Sequence, residues 1–132
     1  MSTLSTANIQ TKAANTPPVI KDSNGTEVGQ FCRAWVNFAS GTNPINASFN
    51  IASITDVSAG IRTVTFTTAM SNANYCVVTD VHSPQANRNQ YSMVGGLNEN
   101  NPSTTSFDVV TQGSTNNSAY DGEITYAAVF GG

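Results

Sequence analysis

Hydrophobic and polar residues alternate most regularly between residues 49 and 78, and this stretch predicts β-structure. Within residues 61–68, Arg62, Val64 and Phe66 occupy one parity, whereas an isoleucine and three threonines occupy the other. A period of two in β-branched and aromatic residues is typical of a pleated strand whose two faces meet different surroundings. We therefore expect the rest of the domain to be organised around this strand.

The strand at residues 61–68 is predicted to form a hairpin with the strand before it, and a further strand is predicted after it. An apolar run at residues 51–56 precedes it, and residues 57–60 separate the two runs, so we expect an antiparallel hairpin with a loop of three to five residues. A change of parity predicts a bulge near residues 52–53. After an asparagine-rich turn, residues 75–81 supply the next strand and complete a predicted three-stranded meander. A meander with one apolar face needs a second layer to cover it.

The remaining β-rich runs are expected to provide that layer. They lie at residues 31–38, 45–51, 91–94, 105–111 and 123–130. Turn-forming residues separate these runs, and no stretch shows the 3.6-residue period of an amphipathic helix. Short strands with regular turn signals indicate an all-β fold, which we expect to be an antiparallel β-sandwich of jelly-roll-like type.

The strand at residues 31–38 combines an apolar face with a mixed face. The residues expected to point into the core are Cys32, Ala34, Val36 and Phe38. Trp35 lies on the mixed face beside Arg33. Two interpretations of Trp35 follow: it packs under a loop or at a subunit contact, or it is an exposed platform on which a sugar stacks.

Residues 1–28 differ in character from the rest and predict an extended N-terminal arm, followed by a β-domain at residues 29–132. The segment is rich in Thr, Asn, Ala and Ser, contains a Pro-Pro pair that does not suit a central strand, and carries a tight-turn signal at Asn24-Gly25. It is either a frayed terminus or an arm that orders on a partner. The candidate anchoring residues of this arm are Leu4, Ile9, Val19 and Ile20.

Composition argues against several classes of partner. Of 132 residues only 10% are charged, and the net charge is −3 with five Lys and Arg, which argues against binding to nucleic acid or to an anionic membrane surface. No apolar run approaches the roughly 18 residues of a membrane span. The first residues lack the basic and apolar regions of a secretory signal, so we expect synthesis in a cytoplasm without a signal peptide.

No grouping of residues predicts catalysis or a cofactor. His82 is the only histidine and the eight acidic residues are scattered, so neither an activated nucleophile nor a His/Cys metal site is indicated. We expect no enzymatic activity, no cofactor and no metal, although the oxygen-rich loop at residues 98–101 leaves calcium binding open. Cys32 and Cys76 fall in predicted strands as small buried thiols, while a cross-sheet disulfide is geometrically conceivable.

Three motifs carry a resemblance to a known family: CRAWVNF at residues 32–38, ASFNIASITD at residues 47–56 and TVTFTTAMSNANYCVV at residues 63–78. Together they resemble a C-terminal domain found on tail-fibre and related virion-surface proteins of tailed bacteriophages, marine and cyanobacterial phages especially. The opening MSTLSTANIQTKAANTPPVI is similar to the lead-in of such proteins, so the resemblance covers about residues 1–81. It implies a non-enzymatic virion component that forms a homotrimer and turns its variable loops outward.

The function that the resemblance implies is host attachment by a tail-fibre-like surface fibre or knob. The arm would anchor it to other virion proteins, and the loops at residues 82–90, 97–103 and 112–121 would face a receptor such as a host surface glycan. The candidate receptor-facing residues are His82, Asn87, Arg88, Tyr91, Asn98, Asn100, Asn116 and Tyr120. Two alternatives stay open: a capsid decoration protein that clamps neighbouring capsid subunits, and a free carbohydrate-binding module.

Overall fold

The computed structural model describes most of the chain. The described residues are 6, 8–9, 18–41, 44–82, 90–94, 102–113 and 119–132, with only the backbone at residues 90, 91 and 93. Leu4, Asn87, Arg88, Asn98, Asn100 and Asn116 lie outside them. The chain divides into two compact units, Met1–Phe31 and Cys32–Gly132.

All regular elements among the described residues are strands, as the alternating pattern predicts. In chain order they are β1 (Val19–Lys21), β2 (Glu27–Gln30), β3 (Cys32–Ala39), β4 (Ile45–Phe49), β5 (Ile51–Ser58), β6 (Ile61–Phe66), β7 (Tyr75–His82), β8 (Gln90–Val94), β9 (Ser106–Gly113) and β10 (Ile124–Gly131). Every pairing between them is antiparallel. The prediction of an antiparallel all-β fold is confirmed to this extent.

The first unit contains a hairpin of β1 and β2. The carboxylate of Asp22 accepts hydrogen bonds from the backbone N–H groups of Asn24 and Thr26, each at 2.9 Å, which closes the turn. Gly25 adopts a positive φ of 82°, a conformation that glycine reaches without steric cost. The predicted turn at Asn24-Gly25 is confirmed. The extended arm over residues 1–28 and its boundary stay predictions.

The second unit contains two four-stranded sheets. We call β4-β3-β10-β7 the front sheet and β5-β6-β9-β8 the back sheet, each in its order of hydrogen-bonded neighbours. One hydrophobic core draws side chains from both sheets. Its buried members are Ala34, Val36, Phe38, Ala127 and Val129 of the front sheet, Ile51, Val64, Phe66, Phe107 and Val109 of the back sheet, and Met70 between strands. Two sheets that each bury one face against the other form a single layered core.

The hairpin at the centre of the sequence pattern is present, with a shorter loop than expected. β5 pairs with β6, and the register shifts between Ile51 and Ser53, which confirms the predicted bulge. A second shift between Asp56 and Ser58 absorbs one more residue, so only Ala59-Gly60 is left between the strands. The expected loop of three to five residues was therefore wrong.

Gly60 and Arg62 hold this turn against the segment that precedes β10. Gly60 has a φ of 72°, and an added Cβ would lie 2.5 Å from the carbonyl oxygen of Thr111, so no other residue fits there. The Gly60 N–H donates to Asp121 Oδ1 at 2.7 Å. The buried Arg62 pairs with Asp56 through Nη1, and its Nη2 lies 3.3 Å from Asp121 Oδ1. The guanidinium is buried, whereas both carboxylates are partly exposed, and removing either of them would leave part of a buried positive charge without compensation.

The predicted meander does not form, because β7 belongs to the front sheet. β6 has β5 and β9 as neighbours, whereas β7 pairs with β10 from Tyr75↔Gly131 to His82↔Ile124. The connection at residues 67–74 is long enough to cross the roughly 10 Å between packed sheets. Met70 is buried at its middle, and the Met70 N–H donates to the carbonyl of Thr104. Burial of this residue ties the crossing to the core.

Asn50 is the corner at which the chain passes from the front sheet to the back sheet. Asn50 separates β4 from β5. Among the described residues it is the non-glycine residue with a positive φ, which is 57°. Its side chain bonds to β3 and to the crossing segment: Nδ2 donates to the carbonyls of Arg33 at 3.3 Å and Thr68 at 3.2 Å, and Oδ1 accepts from the Thr68 N–H at 2.8 Å. Asparagine tolerates the left-handed region because its short polar side chain can bond locally.

Tyr75 joins the two sheets at the same end. Its ring makes edge contacts with Phe66 and Phe107, at centroid distances of 5.6 and 6.3 Å. Its hydroxyl lies 2.9 Å from the carbonyl oxygen of Ser103 and 3.0 Å from that of Ser106 and donates to them. Burial raises the pKa of Tyr75 from 10.0 to about 12, although the hydrogen bond to Ser103 acts in the opposite direction.

We predict that Asn50→Gly and Asn50→Ala destabilise the protein to different extents. Asn50→Gly keeps the backbone conformation and removes the side-chain hydrogen bonds, at about 1–2 kcal/mol. Asn50→Ala also forces a Cβ without local hydrogen bonds into the left-handed region, which adds roughly 1–2 kcal/mol. Denaturant unfolding measures both values. Equal losses for the two variants would show that the φ of residue 50 carries no cost.

We predict that Tyr75 makes stability fall between pH 10 and pH 12. In that window the unfolded chain has lost the phenolic proton and the folded protein retains it, so rising pH favours unfolding. Below about pH 10 this contribution is constant. Tyr75→Phe should flatten that part of the stability–pH profile relative to the wild-type protein. An unchanged profile in Tyr75→Phe would contradict the assignment.

Candidate functional site

The front sheet turns an apolar surface away from the core. We call this surface the outer face and define it by the residues that alternate with the core positions of β3, β4, β7 and β10. Its exposed hydrophobic members, with their exposed fractions, are Val78 59%, Phe49 55%, Trp35 41%, Tyr126 40% and Phe130 37%. Large contiguous apolar surfaces of this kind mark sites of interaction on soluble domains.

Cross-strand register arranges these side chains in rows. Phe49 pairs with Trp35, Trp35 pairs with Ala128, and Ala128 pairs with Val78, so one row crosses the whole sheet from edge to edge. Directly opposed residues in antiparallel strands share a face and have their Cβ atoms about 5 Å apart. The row is therefore one continuous strip of hydrophobic surface.

Ala128 forms the floor of a shallow depression in the middle of this row. The depression has a volume of about 370 Å³, and its walls include Trp35, Val78 and Tyr126. It exists because the small Ala128 lies between larger side chains on both neighbouring strands. A concave apolar spot beside protruding aromatic rings can accept a bulky apolar group.

Polar groups border the depression in the neighbouring row, where Tyr126 pairs with Asn37 on one side and Asp80 on the other. Asn37 Oδ1 accepts a hydrogen bond from the Asn46 side chain at 3.0 Å, and Asp80 Oδ1 accepts from the Val81 N–H at 2.8 Å. These contacts fix the orientation of the amide and the carboxylate. The outer face thus offers aromatic surface with polar groups at its border.

The outward positions of the back sheet are built differently. Val110 of β9 is 1% exposed, and Asp108 is 3% exposed and accepts a hydrogen bond from the Thr63 hydroxyl at 2.6 Å. Strand β9 is accordingly buried at six consecutive positions, whereas β7 alternates between half-buried and exposed residues along its whole length. Among the strand residues whose side chains the structure describes, the exposed aromatic residues therefore lie on the front sheet.

Sequence reasoning placed Trp35 on an outward face and missed its neighbours. The position of Trp35 opposite the core face of β3 is confirmed. Val78 and Phe130 were not distinguished from core residues, because both parities of β10 and most of β7 are apolar, and Phe49 falls on the apolar parity of β4 together with Ile45. A signal was present in β10, where Tyr126 alternates with the smaller core residues Ala127 and Val129, but only strand pairing shows which parity faces outward.

Most residues of the predicted receptor-facing loops lie outside the described residues, but residues at their borders are described. At the borders of residues 82–90 and 112–121, His82 pairs with Ile124 and Gln90 pairs with Gly113, at the end of the unit that carries Gly60. At the border of residues 97–103, Ser103 is contacted by the Tyr75 hydroxyl at the other end. The bordering residues of the three loops therefore do not all lie at one end of the unit.

Of the candidate residues in these loops, His82 and Tyr120 are described with their side chains. His82 is exposed at the end of β7. Tyr120 is half-buried, and its N–H donates to the Thr111 carbonyl at 3.1 Å while its own carbonyl accepts from the Thr111 hydroxyl. Tyr91 lies in β8 with only its backbone described. In the predicted arm, Val19 and Ile20 are exposed residues of β1, and Ile9 is exposed.

Both cysteines are free. The sequence predicts that Cys76 is buried, but it is exposed. The alternation of β7 turns Cys76, Val78 and Asp80 outward, which explains the difference. Cys32 is half-buried, and its thiol donates to the Ala34 carbonyl at 3.2 Å. Both cysteines pair with Phe130, from opposite sides of β10, so one whole strand separates them.

No group of three or more His, Cys, Asp and Glu side chains is placed to hold a metal ion among the residues that the structure describes. In the same part of the chain, no helix has the length and apolar character needed to cross a membrane. Comparison of the chain with protein-family models, with curated proteins and with solved structures gave no significant match.

We predict that Cys32 and Cys76 do not form an intrachain disulfide. Their Cα atoms lie two strand spacings apart, about 9.6 Å, whereas a disulfide requires no more than about 7 Å. Protein purified without reductant and alkylated after unfolding should carry two alkyl groups per chain by intact mass. A monomeric chain that takes up no alkyl group would contradict the strand order of the front sheet.

Proposed function

We propose that this chain is a non-enzymatic structural protein of a tailed-bacteriophage virion, a tail-fibre-like surface fibre or knob that serves host attachment. In this proposal the second unit is a β-sandwich of jelly-roll-like type, and the first 28 residues are an arm that docks on other virion proteins. The protein is a homotrimer made in the host cytoplasm without a signal peptide. The motifs at residues 32–38, 47–56 and 63–78 are the sequence basis of the proposal.

The observation that best supports a structural role is the outer face of the front sheet. An all-strand unit with a buried core and a separate row of exposed hydrophobic side chains is suited to packing against other protein surfaces. The charged network of Arg62, Asp56 and Asp121 holds a turn in place and has the geometry of a structural ion pair. These features favour rigid assembly over chemistry.

Receptor contact in this proposal comes from the end of the unit that carries His82. The described strand ends that border residues 82–90 and 112–121 lie at that end, since His82 pairs with Ile124 and Gln90 pairs with Gly113. The polar side chains of these segments and Tyr120 would recognise a surface glycan by adaptable hydrogen bonds and aromatic contact.

A capsid decoration protein is the second candidate, and the outer face also favours it. A protein that clamps neighbouring capsid subunits needs an apolar docking surface and no receptor loops. A free carbohydrate-binding module is supported by a narrower observation: the exposed rings of Trp35 and Tyr126 lie beside Asn37 and Asp80, a combination of aromatic and polar groups that suits a sugar.

Copy number in purified virions tests the attachment role. We expect the chain to be present in the particle at far lower abundance than the major capsid protein, as a stained gel with quantitative mass spectrometry would measure. Abundance comparable with the capsid protein would favour decoration instead. Absence of the chain from purified virions would overturn both virion roles and leave the carbohydrate-binding module, which a glycan array tests directly.

A further inference from the structure

We propose that the outer face of the front sheet pairs with the same face of a second copy of this chain, about a two-fold axis that lies in the interface and runs parallel to the strands. The inference stands on the geometry of this face and does not depend on a role in a virion. It differs from the homotrimer that the resemblance implies, and the mass of the oligomer in solution decides between dimer and trimer.

The face is large enough for a weak, specific contact. Three strands of eight residues and one of five, at about 3.3 Å per residue and about 4.8 Å between strands, give a surface of roughly 460 Å². Two copies placed face to face would therefore bury about 900 Å² together, slightly less than the roughly 1,000 Å² of a stable interface. The contact is expected to be weak, and its specificity comes from the complementarity of the two faces.

Its chemistry is that of an interface centre. Aromatic residues are enriched in the central parts of protein interfaces, and charged residues are depleted there. On the outer face, Trp35, Phe49, Tyr126 and Phe130 are exposed, while Asp80 and His82 lie on the edge strand β7. Arg33 is half-buried, and its guanidinium donates to the carbonyl of the terminal Gly132 at 3.0 Å. The charges thus lie at the border and leave the centre apolar.

The order of side chains across the sheet makes the face complementary to itself. Along the central row the order is Phe49, Trp35, Ala128, Val78. A two-fold axis along the strands reverses this order in the second copy, so each Trp35 lies opposite the partner copy's Ala128 and each Phe49 lies opposite its Val78. The Trp35 indole then meets the small Ala128 and enters the depression above it, and the Phe49 ring meets the shorter side chain of Val78.

The neighbouring row repeats this complementarity. Its order is Ala47, Asn37, Tyr126, Asp80, so the same axis sets the Tyr126 ring opposite Asn37 and the Asp80 carboxylate opposite the small Ala47. The Tyr126 hydroxyl and the Asn37 amide can form a hydrogen bond across the contact, and Asp80 keeps access to solvent at the edge. Self-complementarity of this kind is the requirement for an isologous dimer, in which the same patch serves both partners.

The first experiment compares two matched substitutions by sedimentation equilibrium of the whole chain. Val78→Asp places a carboxylate in the central row of the proposed contact, opposite the partner copy's Phe49 and twice per dimer by symmetry, and should raise the dissociation constant at least about tenfold. Val57→Asp, at an exposed valine on β5 of the back sheet, should leave it unchanged. Circular dichroism and denaturant unfolding of both variants show that each folds.

The second experiment tests the two-fold register itself. Ala128→Trp fills the depression in both copies and places a second indole opposite the partner copy's Trp35. The two large rings cannot occupy the same space, so the dimer should dissociate. Combining Ala128→Trp with Trp35→Ala exchanges the large and small residues across the axis, so the double variant should regain the dimer. Dissociation of both variants would overturn the register, since Trp35 and Ala128 would not then face each other.

Other results would overturn the proposal. Wild-type protein that stays monomeric at about 1 mM would exclude a useful self-contact. An oligomer that Val78→Asp leaves intact would place the interface elsewhere, and a trimer that Val78→Asp dissociates would retain the face but exclude the two-fold arrangement. A monomer that binds a glycan array through Trp35 would identify a saccharide as the occupant of this face. None of these results alters the copy number in virions, so the attachment role and the dimer fail separately, and a dimer excludes only the homotrimer of the proposed function.

Discussion

Packing of the front sheet on the back sheet is the interaction on which the rest of the structure depends. Each sheet can bury only one face, so the chain must change sheets repeatedly while it keeps the apolar parity of every strand directed inward. Asn50 accomplishes the sharpest of these changes within a single residue, and Met70 anchors another through burial. Without those crossings, the alternating strands would have apolar faces and nothing to cover them.

The same constraint explains why the outer face is exposed. Once the core positions of β3, β7 and β10 are directed inward, the alternate positions must point outward, whatever their chemistry. In this chain those positions hold Trp35, Val78, Tyr126 and Phe130. These side chains bury only part of their surface within the isolated unit, so their grouping on one face is best explained by contacts that the unit makes with another surface.

Local sequence predicted elements more reliably than it predicted neighbours. The strand that contains Trp35, the bulge after Ile51 and the turn at Asn24-Gly25 all follow from short-range rules of parity and turn chemistry, and each is present. The prediction of a meander is wrong because β6 and β7, which follow each other in the sequence, are not neighbours in a sheet. Residues 67–74 carry turn-forming side chains that suit a hairpin and a crossing equally well, and burial of Met70 decided for the crossing.

The sequence by itself determined that this chain forms alternating strands, where most of them begin and end, and which side chains of β3 are apolar enough to be buried. Those properties depend on residues one or two positions apart. The tertiary structure alone decided which sheet β7 joins, that Cys76 is exposed, and that Phe49, Trp35, Ala128 and Val78 form one row. Where both parities of a strand are apolar, alternation cannot say which one faces the core, and only pairing with distant strands resolves it.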